Sequence, residues 1–407
     1  MAGKYASLRE YARRYLELAN SPAQAEKRRL WREHNGLNFE RPLIYVRAIP
    51  YHEFFDDHLI KCEDPFLRAY EYQLATSVLF RARLQDDFVF EPYVTVRAEV
   101  ESIEDRWGVP CDLGEKPRQG GAARYHPVLL EEADIEKLRS RPHQVNEGVT
   151  TRRAERLNEA VGDILPIYVD RRGALSQMWN MDISTDLAKL RGLEQLMFDV
   201  YDRPQWLKEV AGRMRDMILR NIDETERMGD FSLADHQNQA MPYALELEDP
   251  DPQVRGVSTK RLWGFLAAQE TTTFSPAHFE EFMLEFQLPI LERFGLTAYG
   301  CCEDLTRKIA LLRRIRNLRR VAVSPFANLK ACAEQIGGDY ILSYRPDPSA
   351  TFATGLDEES VRRRLKEDFH ILRANGCKFD VTMKDVETIA GRPDDMVRWV
   401  RIVREMS

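Results

Sequence analysis

The sequence predicts an α/β fold in which parallel strands alternate with helices. Short runs rich in β-branched or aromatic residues recur after residue 40, and amphipathic helical stretches separate them. There are eight such runs: Pro42–Arg47, Leu165–Asp170, Phe231–His236, Arg261–Phe265, Leu296–Gly300, Arg320–Ser324, Tyr340–Ser343 and Lys378–Met383. Eight strand and helix units close most simply as a (β/α)8 TIM barrel. We therefore expect one barrel domain over residues 41–407.

The helix and strand pattern is clearest in the last third of the chain. Asp357 can cap a helix, and Asn375-Gly376 can end it before the strand KFDVTM. The apolar residues of this helix fall on one face and are Val361, Leu365, Phe369 and Leu372. A similar stripe predicts a helix between the fifth and sixth runs and consists of Leu305, Ile309 and Leu312.

Three segments lie outside the barrel repeat. Residues 1–40 predict an N-terminal helical cover of two helices, with Ser7 as the first cap and Ser21-Pro22 as the second helix start. An insertion around residues 90–150 follows an extended run at Phe88–Val96 and contains the loop CDLGEKPRQGGAARYHP, which we interpret as a lid. The acidic loop Leu245–Val257 is predicted to be exposed on the active face.

Composition and charge exclude several classes of protein. The 59 Lys and Arg residues against 66 Asp and Glu residues give a net charge of −7, so a nucleic acid partner is not expected. No apolar stretch approaches the roughly 18 residues of a membrane span, and the charged N-terminus lacks a signal-peptide core. Six scattered cysteines indicate reduced thiols, and we expect a cytoplasmic protein. Nucleotide-binding glycine motifs and the GxSxG elbow of serine hydrolases are absent from the sequence.

The most informative motif is YGCCED at residues 299–304, directly after the fifth run. In a barrel, reactive groups come from the carboxyl ends of the strands and the loops after them. Cys301, Cys302 and Glu303 would combine soft thiolate with hard oxygen donors, a mixture that suits Zn²⁺. The alternative is that these cysteines are small buried residues that pack at a strand end.

Other polar residues near predicted strand ends complete the candidate site. The candidates for proton transfer or catalysis are His236, Glu91 and Lys384, and those for substrate binding are Tyr299, Gln237, Arg345 and Asp385. Each has a structural alternative. A single histidine is often structural, Arg345 can pair with Asp347, and Lys384 and Asp385 can be solvated loop charges.

The chain resembles the uroporphyrinogen decarboxylase superfamily, which contains decarboxylases and corrinoid-dependent methyltransferases on a distorted (β/α)8 barrel. The resemblance covers most of residues 40–405. The stretches that carry it are RPLIYVR at 41–47, LPIYVDRRG at 165–173, LTAYGCCEDL at 296–305, VAVSPFANLKACAEQIG at 321–337, YILSYRPDP at 340–348 and FDVTMKDVETIAGRPDDMVRWV at 379–400.

The methyltransferase branch is the closer match. The arginine-rich start of the decarboxylase pattern is kept here only at Arg41, Pro42 and Arg47. The methyltransferases hold zinc with a His-x-Cys pair at the fifth strand and a later cysteine. Cys301 matches the first cysteine, Tyr299 stands in place of the histidine, and Met383-Lys384-Asp385 stands where the later cysteine is expected.

This resemblance implies a methyltransferase that moves a methyl group from a small methoxylated or methylated substrate to a corrinoid protein, with zinc assistance. Cys302, Glu303, His236 and Asp385 are the residues that could replace the missing zinc ligands. A homodimer is a further candidate assembly. The alternative function is a decarboxylase or lyase, without corrinoid, in which Arg345, Lys384 and His236 bind an acidic substrate. A non-catalytic binding protein is a third class.

Overall fold

The computed structural model describes residues 5–47, 49–100, 105–110 and 125–407. Within them the chain forms eight strands: β1 Ile44–Val46, β2 Val94–Arg97, β3 Ile167–Asp170, β4 Trp263–Leu266, β5 Leu296–Tyr299, β6 Leu318–Val323, β7 Ile341–Tyr344 and β8 Lys378–Met383. All the strand pairs are parallel. The α/β class that the sequence predicts is therefore confirmed.

Helices connect and cover these strands. In the described residues they are α1 Ala6–Ala19, α2 Pro22–Asn35, α3 Pro65–Ala75, α4 Ala82–Leu84, α5 Glu147–Val161, α6 Ser184–Arg191, α7 Leu193–Asp202, α8 Pro204–Arg227, α9 Pro276–Phe279, α10 Glu285–Leu291, α11 Ile309–Leu312, α12 Leu329–Ile336, α13 Pro348–Phe352, α14 Glu358–Ala374 and α15 Pro393–Met406. A short π-helical segment joins α3 to α4 at Thr76–Arg81, and another joins α9 to α10 at Glu280–Leu284.

The strands form two sheets. Six strands pair in the order β1-β8-β7-β6-β5-β4, and β2 pairs with β3 in a separate sheet of two strands. The pairs β1 with β2 and β3 with β4, which would close an eight-stranded barrel, do not occur among the described residues. The structure is therefore a parallel half-barrel of six strands with an added two-stranded sheet, where the sequence predicts a closed barrel.

An irregular segment covers the edge strand β1. The amide of Asp87 donates to the carbonyl oxygen of Ile44 (2.8 Å), and the carboxylate of Asp87 accepts from the amide of Ile44 (2.8 Å). The neighbouring carboxylate of Asp86 accepts from the amide of Val46 (3.1 Å). The edge of the sheet is thus satisfied by side-chain oxygens instead of a partner strand.

The run Phe231–His236, which the sequence predicts to be a strand, is irregular instead. The amide of Trp263 in the edge strand β4 donates to Nδ1 of His236 (3.2 Å), and the amide of Gln237 donates to the carbonyl of Trp263 (3.1 Å). An imidazole nitrogen accepts the bond that a backbone carbonyl would accept in a strand pair. The run lies beside the sheet without joining it.

The extended run Phe88–Val96, predicted as part of an insertion, contributes the strand β2. This strand begins at Val94 and pairs with β3. The resulting two-stranded sheet packs against helices α1, α3 and α5 in a separate apolar cluster that includes Leu8, Leu74, Val94, Val96 and Leu157. The first helix therefore belongs to the layer that covers this small sheet.

Helix α2 covers the amino end of the larger sheet with buried polar residues. It begins at Pro22 after Ser21, as the sequence predicts. At its carboxyl end, Asn35 accepts from Arg320 (2.8 Å) and His34 Nε2 lies 3.4 Å from Asp380. Arg320 of β6 also pairs with Asp380 of β8 at 2.5 Å, and both side chains are fully buried. The sheet interior at this end is therefore polar and hydrogen-bonded.

Several predicted local features are confirmed. Asp357 caps α14 by accepting from the amide of Ser360 (3.1 Å), and Gly376 follows the helix with a left-handed φ of 66°. The buried residues of α14 are the predicted Val361, Leu365, Phe369 and Leu372. Strand β8 has the predicted bounds. Among the described residues no helix combines the length and apolar character that a membrane span requires.

Three further predictions need correction or fall outside the described residues. Ser7 does not cap α1, which begins at Ala6, and its hydroxyl donates to Glu71 instead. The helix between β5 and β6 is a single turn, Ile309–Leu312, although Leu305, Ile309 and Leu312 are all buried. Residues 111–124 of the predicted lid lie outside the described part of the chain.

The loop Leu245–Val257 lies at the amino ends of the strands, not on the predicted active face. Its carboxylates pair with arginines near strand starts: Glu248 with Arg261 (2.6 Å), directly before β4, and Glu246 with Arg319 (2.7 Å), near the start of β6. These ion pairs hold the acidic loop against the opposite end of the sheet from the cysteine motif.

Candidate active site

Five of the predicted site residues meet at the carboxyl ends of β5, β7 and β8. They are Cys301, Cys302, Arg345, Lys384 and Asp385, and all five line one cavity of about 410 Å³. In parallel α/β sheets, ligands bind at this end of the strands. The position of the cavity therefore agrees with the site that the strand-end rule predicts.

The alternation of side chains along β8 points Lys384 toward this cavity. Phe379, Val381 and Met383 belong to the large apolar core between the sheet and the helices. Asp380 and Thr382 lie on the other face. Both accept from the hydroxyl of Ser343 in β7, and Thr382 also donates to Asp380. Lys384 continues that polar face beyond the end of the strand.

Lys384 is the centre of the cluster. Its Nζ donates to Cys301 Sγ at 2.9 Å and lies 2.9 Å from Asp385 Oδ2 and 3.5 Å from Cys302 Sγ. Only 7 % of the Lys384 side chain is exposed. Asp385 adopts a left-handed backbone with a φ of 58°, a conformation that is uncommon outside glycine. This turn brings the Asp385 carboxylate back to the ammonium group of its neighbour.

The two adjacent thiols differ in their acidity. Their Sγ atoms lie 3.5 Å apart, and Cys302 Sγ is also 3.3 Å from Asp385 Oδ2. The hydrogen bond from Cys302, together with the charges of Arg345 and Lys384, holds the pKa of the Cys301 thiol well below its usual range. The same hydrogen bond and burial raise the pKa of the Cys302 thiol. Cys301 is therefore the more acidic of the two thiols.

Arg345 holds the backbone of the cysteine motif. It is almost fully buried, and its Nη1 donates to the carbonyl oxygen of Cys301, while its Nη2 donates to Gln239 Oε1 at 2.9 Å. The predicted alternative pair with Asp347 does not form, because Asp347 accepts from the amides of Ser349 and Ala350 as the cap of α13.

Glu303 has a backbone-holding role in this geometry. It is 2 % exposed, and its two carboxylate oxygens accept from the amides of Ala268 (2.9 Å) and Cys301 (2.6 Å). Both oxygens are therefore engaged between the ends of β4 and β5. The carboxylate fixes the turn that presents the cysteines.

The cavity has a charged part and a part that carries a phenylalanine and three prolines. Arg345, Lys384, Asp385 and the two cysteines form the charged part of the lining, and the rest of the lining consists of Pro325, Phe326, Pro346, Asp347, Pro348 and Ser349. Phe326 is 77 % exposed. Behind the lining, Cys301 packs in a small apolar cluster with Phe265, Ala267 and Ala298. A small molecule at this site would contact both charged and apolar side chains.

The donor set does not fit zinc as it is arranged. Cys301, Cys302 and Asp385 surround one cation position, and the ammonium group of Lys384 lies there. Both oxygens of Glu303 are bonded to backbone amides. The described residues offer no group of three His, Cys, Asp or Glu side chains arranged for a metal ion.

His236 and Glu91 lie at the other end of the strands. His236 Nδ1 accepts from the first residue of β4, and burial lowers the pKa of the imidazole to about 4. Glu91 precedes β2 and accepts from the hydroxyl of Tyr243 and from Arg28 (3.4 Å). Burial raises the pKa of this carboxyl. The structure does not bring either residue to the cysteine cavity.

Tyr299 and Gln237 are also directed elsewhere. The Tyr299 hydroxyl donates to Gln287 (2.6 Å) in α10, so its ring packs between the sheet and the helices. Gln237 donates from Nε2 to the carbonyl of Ser176 (3.0 Å). Neither side chain lines the cavity that contains Lys384.

Two residues near the cavity are not among the predicted site residues: Gln239, which holds Arg345, and Phe326, which lines the cavity. Gln239 anchors Arg345 from a left-handed backbone with a φ of 58°, and its buried Nε2 has no hydrogen-bond partner. Phe326 lines the cavity and is exposed, two residues after Ser324 in the loop that follows β6. An alternation pattern cannot reveal a backbone conformation at Gln239, and a single exposed phenylalanine in a loop carries no signal.

Comparisons with known proteins show a likeness in fold alone. No protein-family model matches the chain. No curated protein matches its sequence. Among solved structures, the chain is similar to a methyltransferase from Methanosarcina mazei, with 12 % identity, a TM-score of 0.51 and coverage of 93 % of this chain and 98 % of that one. The chain therefore shares the overall fold of that methyltransferase over nearly its whole length.

Proposed function

We propose that this chain is a small-molecule methyltransferase in which Lys384 acts on the heteroatom that loses its methyl group. The observation that carries this proposal is the buried ammonium group in the charged part of the cavity lining, held by Cys301 and Asp385 at 2.9 Å each. The fold likeness to a methyltransferase favours methyl transfer over other reactions of such a site.

The reaction that fits is displacement of a methyl group from oxygen, nitrogen or sulfur. A nucleophilic acceptor forms a bond to the methyl carbon, and the bond between that carbon and the heteroatom breaks. The electron pair stays on the heteroatom, which takes a proton from Lys384 Nζ; Lys384 then regains a proton from water. Proton donation to a leaving group contributes about 10²–10⁴-fold in rate.

The neighbours of Lys384 orient its ammonium group. Cys301 Sγ and Asp385 Oδ2 both lie 2.9 Å from the ammonium nitrogen and hold it in place. The contact with Cys302 is the longest of the three, at 3.5 Å, and a substrate heteroatom can replace it. Arg345 donates to the Cys301 carbonyl and so fixes the backbone from which the Cys301 side chain reaches the lysine.

The acceptor in this proposal is a corrinoid carried by a partner protein. When bound, a corrinoid supplies a strongly nucleophilic metal centre for methyl groups. The cavity lining includes the exposed Phe326 and the prolines at residues 325, 346 and 348, which offer apolar contacts to a flat macrocycle presented from outside. The residues of this chain bind the methylated substrate in the cavity.

The experiment uses the full chain, a chemically reduced free corrinoid as acceptor and a panel of methyl ethers, methylamines and methyl thioethers. Demethylated product is measured by mass spectrometry. We expect turnover with the native protein, loss in Lys384→Met and retention in Lys378→Met, which removes a lysine from the other end of β8.

Two outcomes would contradict the proposal. One is turnover in Lys384→Met equal to that of the native chain. The other is release of carbon dioxide from acidic substrates with no demethylation across the panel, which would indicate a decarboxylase.

A further inference from the structure

We infer that Cys301 and Cys302 are a redox modification site, at which a peroxide that enters the cavity joins the two side chains in a reversible disulfide. The inference stands on the position of the two sulfur atoms and does not depend on methyl transfer being the reaction. It predicts that the two thiols of the folded chain are oxidised together and that a thiol reductant restores both.

The two sulfur atoms already lie in contact. Cys301 Sγ and Cys302 Sγ are 3.5 Å apart, and both residues line the cavity of about 410 Å³. A disulfide bond is about 2 Å long, so the sulfurs have to approach each other by about 1.5 Å. This is a movement within one turn, and it needs no shift of one strand or helix against another.

The backbone of the pair is held on both sides. The amide of Cys301 donates to Glu303 at 2.6 Å, and the carbonyl oxygen of Cys301 accepts from Arg345. Gly300 precedes the pair with a left-handed φ of 96°, and a Cβ atom there would lie 2.7 Å from Leu305 Cδ1. The turn is therefore fixed in the conformation that keeps the two sulfurs together.

The other described cysteines are placed differently. Cys62, Cys332 and Cys377 are free and buried, and none of them lines the cavity. Oxidation of a thiol depends on the access of the oxidant to its sulfur. A small peroxide in the cavity therefore meets Cys301 and Cys302 before it meets these three residues.

The oxidation balances with hydrogen peroxide as the oxidant. The sulfur of one thiol attacks a peroxide oxygen, the O–O bond breaks, and a sulfenic acid forms as one water molecule leaves. The neighbouring thiol then attacks that sulfur, the S–O bond breaks, and the S–S bond forms as a second water molecule leaves. The two thiols together lose two electrons and two protons, and the peroxide is reduced to water.

The adjacency of the two residues makes this disulfide easy to reduce. Neighbouring Cα atoms in a chain are about 3.8 Å apart, which is less than the roughly 4.4–6.8 Å usual across a disulfide. A disulfide closed over so short a distance is strained, and strained disulfides are more readily reduced. We therefore expect reduced glutathione to reopen the bond.

Oxidation also changes the contacts of Lys384. In the reduced chain its Nζ donates to Cys301 Sγ at 2.9 Å and lies 2.9 Å from Asp385 Oδ2. The sulfur of a disulfide has no proton to donate and accepts hydrogen bonds only weakly. The oxidised pair therefore leaves Asp385 as the principal partner of the ammonium group.

The test exposes the full, reduced chain to hydrogen peroxide, blocks the remaining thiols with N-ethylmaleimide under denaturing conditions and analyses tryptic peptides by mass spectrometry. One tryptic peptide, residues 294–307, contains both cysteines. We expect this peptide to lose two hydrogen atoms and to carry no maleimide, at a rate at least about tenfold higher than the oxidation of Cys62, Cys332 or Cys377. Reduced glutathione should restore both maleimide adducts.

Variants separate the pair from the remaining cysteines. Cys377→Ser should leave the disulfide unchanged, and so should Cys111→Ser, which alters a residue outside the described part of the chain. Cys302→Ser should leave Cys301 as a sulfenic acid that dimedone traps. The decisive peptide comes from the native chain, so the result does not depend on the folding of any variant.

Three results with the native chain would overturn the inference. The first is a peptide 294–307 that carries two maleimides after peroxide treatment. The second is a disulfide from Cys301 or Cys302 to Cys111 or to a second chain. The third is sulfinic acid on either cysteine without the disulfide, which would show that the neighbouring thiol does not reach the oxidised sulfur.

Discussion

Lys384 Nζ lies 2.9 Å from Cys301 Sγ and joins two residues that are 83 positions apart in the chain. The contact links the ends of β8 and β5, which are separated in the sheet by β7 and β6. An ammonium group donates a charge-assisted hydrogen bond to a sulfur at this distance. The parallel sheet thus brings the two side chains together at its carboxyl end, where the proposed reaction takes place.

Removing the lysine charge should make Cys301 less reactive. The Lys384 charge is one of the interactions that lower the pKa of Cys301, so Lys384→Met should raise it. At about pH 6 we expect Cys301 to react with iodoacetamide about tenfold more slowly in the variant. Peptide mass spectrometry across a pH series measures this rate. Unchanged reactivity would show that the Lys384 charge does not affect the acidity of Cys301. Lys378→Met serves as the control.

Cys302 should act through its hydrogen bond to Cys301. This bond is the largest of the interactions that lower the pKa of Cys301. Cys302→Ala removes the donor and should move the alkylation profile of Cys301 to higher pH, whereas Cys302→Ser keeps a donor and should shift it less. Identical profiles for the two variants would show that the hydrogen bond has no effect on the thiolate.

His236 should make the fold sensitive to acid. Burial lowers the pKa of His236 to about 4, from an ordinary value of 6.5, so between these values the unfolded chain binds more protons. The free energy of unfolding should therefore fall as the pH falls from about 6.5 to 4, by about 3 kcal/mol from this residue.

Urea denaturation at several pH values checks this expectation. His236→Gln should flatten the pH dependence over that window. His58→Gln is the matched control, because His58 is 67 % exposed. A pH dependence of the same size in His236→Gln would assign the acid sensitivity to other groups.

The pair Arg320 with Asp380 should be essential for stability. Burial raises the pKa of Asp380, but Arg320 and the other partners hold it below its usual range, so the carboxylate is charged in the core. Arg320→Met leaves that charge unpaired and should lower the free energy of unfolding by about 3–5 kcal/mol. The exposed Arg316→Met is the control. A loss in Arg320→Met no larger than in the control would show that the remaining partners of Asp380 suffice.

The sequence predicts the parts of this structure in which local pattern and burial agree. The apolar stripe of α14, its Asp357 cap and the following Gly376 define helix and strand with correct bounds. Strand-end position also identified Cys301, Cys302, Arg345, Lys384 and Asp385 as candidates, and these five residues meet.

The features that the sequence did not predict depend on long-range partners. Phe231–His236 has the composition of a strand, but an imidazole takes the bond that a strand would make with Trp263. His236 therefore lies at the amino ends, away from the cysteines. Gln239 reaches Arg345 through a left-handed backbone that no pattern of side chains marks. The ammonium group between the thiols could not be inferred from the strand position of Lys384.

The central claim is that Lys384 assists the departing heteroatom, and the dependence on the leaving group tests it most directly. An aryl methyl ether needs a proton on its oxygen as the methyl group leaves, whereas the matched aryl dimethylsulfonium leaves as a neutral thioether. The measurement compares the demethylation rates of both probes in the native chain and in Lys384→Met. We predict a loss of about 100-fold or more with the ether and less than about tenfold with the sulfonium. An equal loss with both probes would contradict the account.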